Sequence, residues 1–174
     1  VSRAGEVYLK QGWVSVVCGP DGKLSTGIGG GGADNEPHRN GQNPKARLAK
    51  ILRFDIDGTA KPEIVHIGTR NPWRFWFDAK TRDLYIGDVG QNLWENVYVV
   101  PNDGIVHNMG WNVVEGNHCF DAEPGAGAEN CDTTGVPPPA VDSGHAPGGP
   151  LHGGRPSPAP SPPRAARRHL HAAP

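Results

Sequence analysis

Two clusters of polar residues bracket one short stretch of this chain. Arg70 and Asn71 stand ahead of it, and Gly87-Asp88-Val89-Gly90-Gln91-Asn92 stand behind it, followed by Glu95 and Asn96. Arg70 offers a planar, permanently charged fork suited to carboxylate or carbonyl groups, and Asn71 places a neutral donor beside it. Pro72 fixes the backbone immediately afterwards, which holds both side chains at one spot. The plainer assignment for Arg70 is an ion pair with Glu63 or Asp88, and for Asp88 a cap on a turn. Residue types alone leave both pairs of readings open.

The stretch between the clusters must hold them. Arg74-Phe75-Trp76-Phe77 and Leu84-Tyr85-Ile86 are aromatic and branched runs that suit a pleated surface, and Asp78 to Asp83 is turn chemistry, so the region predicts a β-hairpin. Polar groups at the ends of rigid strands are where function usually sits. Further strands are expected at Trp13 to Cys18, Leu48 to Phe54, Glu63 to Ile67, Val97 to Val100 and Trp111 to Val114, with turns at Gly19-Pro20-Asp21-Gly22 and Asp55-Ile56-Asp57-Gly58. Turn signals thus recur roughly every 8 to 12 residues, the spacing of a β-meander in a propeller, sandwich or barrel. Thr26 to Asn43 is rich in Gly and Asn and is expected to lie outside the core. Its formal Gly-x-Gly-x-x-Gly match lacks the helix that a dinucleotide site needs.

Composition sets outer bounds. With 25 Gly and 18 Pro against 36% hydrophobic residues in 174, the chain is expected to be loop-rich and all-β. From residue 146 onward there are four Arg and no acid, which leaves 13 basic against 18 acidic residues before it. That mildly acidic body argues against a nucleic-acid surface and suits cation binding. Two regions follow: 1–145, and a Pro/Gly/Ala/Arg-rich tail over 146–174 expected to be disordered. No apolar run approaches the roughly 20 residues of a membrane span. Of three cysteines, Cys119 and Cys131 share a polar loop and form a candidate disulfide, whereas Cys18 ends an apolar run and is expected as a buried small hydrophobe. An exported protein, extracellular or periplasmic, is expected.

Gly68-Thr69-Arg70-Asn71-Pro72-Trp73-Arg74-Phe75, Phe77-Asp78, Gly87 to Glu95, Gly110-Trp111-Asn112 and Glu115-Gly116 together resemble the glucose/sorbosone dehydrogenase family. The resemblance runs from about Gly19 to His145. It implies a six-bladed β-propeller that uses pyrroloquinoline quinone (PQQ) and calcium to oxidise a sugar C1 hydroxyl by hydride transfer. Of that propeller the chain would supply two to three blades, as a fragment or truncated member. Its partners would be a small sugar and an electron acceptor, with self-association through open propeller edges. By resemblance Arg70 and Asn71 contact PQQ, and Gly90 and Gln91 bind the calcium that polarises the quinone through backbone carbonyls. Glu95, with Asn96 where relatives carry another acid, corresponds to a second, structural calcium. Trp73, Trp76, Trp94 and Trp111 are expected in the blade core.

The resemblance also implies a histidine base in a His-x-Gly-Gly segment ahead of Gly19. That region reads Lys10-Gln11-Gly12-Trp13-Val14, so the catalytic base is unassigned. Two other readings therefore stand beside the dehydrogenase: a noncatalytic propeller module that binds calcium or a partner, and a truncated remnant without function.

Overall fold

The computed structural model describes residues 15–58, 61–120 and 130–144. The tail over 146–174, His145 and the segment from Lys10 to Val14 lie outside the described residues. Among the described residues there are eleven strands: β1 Val16–Cys18, β2 Leu24–Ile28, β3 Lys50–Phe54, β4 Glu63–Ile67, β5 Pro72–Phe77, β6 Leu84–Asp88, β7 Trp94–Val100, β8 His107–Asn108, β9 Val114–Glu115, β10 His118–Cys119 and β11 Val141–Gly144. No helix occurs among them, and the chain is all-β as its composition predicts.

Strands β1 to β4 form an antiparallel meander, extended by β8, which runs parallel to β4. The second sheet has the order β11-β7-β6-β5, again antiparallel, and β9 and β10 form a small pair. These are two four-stranded propeller blades with additions, and they do not close into a barrel. The predicted hairpin is β5 and β6: Phe75 faces Ile86, and Phe77 faces Leu84. Asp78 shapes its turn by accepting the N–H groups of Lys80 at 2.8 Å and Thr81 at 2.7 Å.

The core lies between the two sheets. Ile51 of β3 packs with Phe75, Leu84, Ile86, Tyr98, Val100 and Met109, and Val17, Val65 and Phe77 close its margin. Tyr98 brings a hydroxyl into this apolar layer and satisfies it by donating to the Met109 carbonyl at 3.1 Å.

Several expectations are corrected. The third to fifth residues of β2, Thr26, Gly27 and Ile28, belong to a strand rather than to the glycine loop, and Thr26 and Gly27 are buried. Glycine is needed there because a Cβ at Gly27 would meet Pro72 of β5 at 2.9 Å, where the two sheets touch. Strand β3 begins at Lys50 rather than Leu48, because Ala49 takes a left-handed φ of 58°. No strand spans Trp111 to Val114; a turn there leads into β9. Trp73 and Trp76 are 43% and 44% exposed, since β5 edges its sheet and the outward face of that sheet carries no covering layer among the described residues. Cys18 is a free, exposed thiol, because β1 is likewise an edge strand.

Candidate functional site

Asp88 fastens the two ends of the hairpin together. It closes β6, is 3% exposed, and accepts the backbone N–H of Arg70 at 2.9 Å and of Asn71 at 2.7 Å. The Val89 N–H returns to the Asn71 carbonyl at 3.0 Å. Burial pushes the Asp88 carboxyl up to about 7, against the pull of those two N–H groups and the Arg70 charge. Asp88 therefore holds the Arg70-Asn71 backbone.

The Arg70 guanidinium is left for other work. Its Nη1 donates to the Val89 carbonyl at 3.0 Å, and the group lies 5.8 Å from the centre of the Trp111 ring. Among the described residues no carboxylate forms a salt bridge with it; Glu63, the other candidate, is taken by Arg53 at 2.8 Å. Burial lowers the Arg70 pKa, opposed by the fields of Asp88, Glu115 and Glu95.

The loop after β6 is organised by one buried acid. Glu115, 4% exposed on β9, accepts the N–H groups of Gln91, of Asn92 at 2.7 Å and of Leu93 at 3.0 Å. The Gly90 N–H donates to Glu95 at 3.2 Å. In a planar trans peptide the N–H and C=O point opposite ways, so the carbonyls of Gly90 and Gln91 turn away from Glu115 together. Gly90 must be glycine, because a Cβ would run into the Trp94 carbonyl.

A second loop crosses in front. Gln91 and Asn35 bind reciprocally: Gln91 Nε2 donates to Asn35 Oδ1 at 2.6 Å, and the Asn35 N–H donates to Gln91 Oε1 at 2.9 Å. Asn35 and Glu36 both take left-handed φ, at 60° and 47°, and Asn112 Nδ2 braces them by donating to the Asn35 carbonyl at 2.8 Å. Glu36 is 3% exposed; its Oε1 accepts the Gly41 N–H at 2.8 Å, and its Oε2 has no hydrogen-bond partner among the described residues. Burial pushes its carboxyl up to about 7, against that N–H and the charge of Lys50. Lys50, fully buried on β3, donates to the carbonyls of Asn40 at 2.5 Å, Gly41 at 3.1 Å and Leu48 at 3.1 Å. Burial lowers it to about 8, opposed by Glu36.

These loops meet in a narrow cleft lined by Gly30, Asp34, Glu36, Arg70, Gln91 and Trp111. The structure thus brings Arg70 and Gln91 together, with Asn71 alongside through its backbone. Glu95 sits by Gly90, whereas Asn96 is its neighbour on β7 and faces the other side of the sheet, its Oδ1 buried without a hydrogen-bond partner among the described residues. Among the described residues no three His, Cys, Asp or Glu side chains cluster as metal ligands. Cys119 and Cys131 form a disulfide, their Cα atoms 5.6 Å apart. Sequence reasoning missed Glu36 and Lys50. Lys50 left a signal, as a cation in the apolar run from Leu48 to Phe54; Glu36 left none.

Two open propeller blades, joined at the Arg70 loop, define the class: the chain has a glucose/sorbosone dehydrogenase-like fold. No protein-family model matches it. Among solved structures it is similar to the PQQ-bound aldose sugar dehydrogenase of Streptomyces coelicolor, with TM-score 0.54 and 25% identity over 74% of this chain and 34% of that one. A glucose dehydrogenase from Thermus thermophilus shares the fold at TM-score 0.55 and 21% identity, covering 74% of this chain and 36% of that one. Among curated sequences it is 32% identical to the HIPL1 protein of Arabidopsis thaliana over 141 residues, which cover 64% of this chain and 20% of that protein. The HIPL2 protein of the same plant is 32% identical over 134 residues, 60% of this chain and 19% of that protein. The chain therefore spans about a fifth of these curated relatives.

Proposed function

We propose that the chain carries the cofactor-facing part of a PQQ- and calcium-dependent sugar dehydrogenase. The observation that carries this reading is Arg70: a half-buried guanidinium, fixed by Asp88 through its backbone, with no salt bridge among the described residues and a cleft in front of it. An anionic quinone rich in carbonyl oxygens suits such a donor. Likeness to a PQQ-bound aldose sugar dehydrogenase supports the choice.

The fit to the groups is local. Arg70 and Asn71 would hold the quinone edge, and the outward carbonyls of Gly90 and Gln91 supply the hard oxygens a calcium ion takes. Glu115 keeps those carbonyls in place by gripping the N–H groups on the other side of the same peptides. Glu95 and Asn96 do not fit a second calcium in the same way, because alternation along β7 puts their side chains on opposite faces of the sheet. When bound, PQQ supplies the hydride acceptor, and calcium polarises its carbonyl. The chain's own contribution is fixed positive charge, orientation and exclusion of water by Trp111. A small sugar would be the substrate, with a separate electron acceptor. The Cys119–Cys131 disulfide supports an oxidising, extracytoplasmic location.

One observation favours a second reading, a noncatalytic propeller module: among the described residues no histidine lines the cleft. Equilibrium dialysis with PQQ and calcium, followed by dye-linked aldose oxidation, separates the two. Saturable PQQ uptake and turnover, both lost in Arg70→Ala, support the enzyme. Uptake without turnover supports the module, and absence of uptake by the wild-type chain removes the cofactor from the reading.

A further inference from the structure

We propose that the Cys119–Cys131 disulfide is a redox-sensitive clamp on the Gln91 loop: closed, it holds β10 against β9 and so fixes Glu115 and Trp111; opened, it releases both. Only the calcium arm of its test rests on the dehydrogenase reading.

Position carries it. Cys119 ends β10, and β10 pairs with the strand that bears Glu115: His118 faces Glu115, and Cys119 faces Val114. Two strands of two residues each are marginal on their own. Yet Glu115 of this pair accepts the N–H groups of Gln91, Asn92 and Leu93, and so sets the loop after β6.

The residues on either side of Cys119 reach the same region. Phe120 meets the Trp111 ring edge-on, ring centres 4.4 Å apart, and its N–H donates to the Val113 carbonyl at 2.9 Å. Trp111 in turn lines the cleft and lies against the Arg70 guanidinium. His118 stacks on Trp94 with ring centres 3.7 Å apart, and its Nε2 lies 3.1 Å from Asp142 Oδ2 on β11. The His118 and Asp142 side chains are 43% and 30% exposed, so water competes for that contact. Cys131 belongs to a segment with its own anchor: the Val136 side chain lies 2.7 Å from where a Cβ on Gly110 would stand, directly before Trp111. The disulfide therefore ties a marginal strand pair to chain that is already held.

Both cysteines are half-buried, so a small dithiol reaches the bond. The step balances. A thiolate of the dithiol attacks one sulfur and the S–S bond breaks; the second thiol of the reagent then displaces the mixed disulfide. Two electrons and two protons pass to the protein, which gains two thiols, and the dithiol ends as a cyclic disulfide. The closed loop between two cysteines 12 residues apart is lost, and β10 leaves β9. Glu115 gains water and loosens its hold on the three N–H groups. The loop is thus set only where thiols are oxidised.

The test compares the oxidised full chain, the same chain reduced with dithiothreitol, and Cys131→Ser, by amide hydrogen exchange without calcium and by calorimetric titration with calcium. On reduction the amides of Gln91, Asn92 and Leu93 should exchange roughly 100-fold faster, the size of closing a loop of about this length, while Ile86 in the core stays within about threefold. Cys131→Ser should match the reduced chain, reoxidation of wild type should restore protection, and Cys18→Ser, which removes the free thiol on β1, should behave as wild type. The calcium dissociation constant should rise about tenfold on reduction, because the carbonyls of Gly90 and Gln91 are no longer held in advance. Unchanged exchange at Gln91, Asn92 and Leu93 in the reduced chain overturns the proposal. Acceleration of Ile86 by the same factor also overturns it, since the disulfide would then staple the whole fold rather than the loop. A loop that is released on reduction, in a chain that takes up no calcium in either state, keeps the clamp and removes calcium from the functional reading.

Discussion

At the scale of single residues, three buried acids do three different jobs within one site. Asp88 holds two backbone N–H groups of the Arg70 loop, Glu115 holds three of the Gln91 loop, and Glu36 holds one, with an oxygen to spare. Glu115→Ala would leave three part-buried donors without an acceptor, at about 1–3 kcal/mol each before relaxation or water entry. Chemical denaturation should therefore show a loss of roughly 3 kcal/mol, with Glu115→Gln milder because one carbonyl oxygen remains. An unchanged midpoint in Glu115→Ala would mean that the loop holds itself. Arg70 and Gln91 could be singled out as candidates because a charged or amide residue at a strand end has no local structural task, and both line one cleft. Glu36 could not be, because Asn112, whose Nδ2 donates to the Glu36 carbonyl at 3.4 Å, lies far along the chain, and local sequence carries no trace of that approach. Asp88 was half legible: its position at the strand end was plain, but its partners are backbone atoms, which look the same in every sequence.

At the scale of elements, hairpins were read well and contacts between sheets poorly. The β5–β6 hairpin follows from alternation and turn chemistry within a short window, whereas the last residues of β2 look like loop until Pro72 is laid against Gly27. Gly27→Ala should accordingly destabilise the fold by about 1–3 kcal/mol through overpacking, measured by thermal unfolding against Gly144→Ala, where an added Cβ would meet nothing closer than 3.9 Å and the backbone is not left-handed. Trp73 and Trp76 were misplaced for a related reason: aromatic content shows that a strand has an apolar face, not whether anything covers it. The β4–β8 junction gives a pH signature. His66, 9% exposed, accepts the His107 N–H on Nδ1 at 3.3 Å, and burial, then His107, lowers its pKa to about 4. A depressed folded-state pKa means stability that is present above the unfolded value near 6.5 and lost as pH falls through about 4. Denaturant midpoints should drop across that window, and His66→Asn, which keeps an acceptor without titrating, should flatten the dependence.

At the scale of the whole molecule, the described residues form two blades of an architecture that buries each blade between neighbours. The inward faces meet and make the core, and the outward face of the second sheet has no neighbour among the described residues. On it Trp76 stacks on Tyr85 with ring centres 5.3 Å apart, and Val99 and Val141 are 39% and 46% exposed beside them. Contiguous apolar surface of this kind is rare on a soluble monomer, and an edge strand such as β5 adds unpaired backbone groups at its margin. The face calls for a covering layer, either further blades of the same polypeptide or a second copy of this chain. Prepared as the 174 residues alone, the protein should self-associate with rising concentration in sedimentation velocity. Paired Trp76→Lys and Val99→Lys substitutions should return it to monomer, since two like charges on one apolar face oppose its burial without touching the core of Ile51, Phe75 and Ile86. Wild-type chain that stays monomeric at high concentration would show that this face tolerates water on its own.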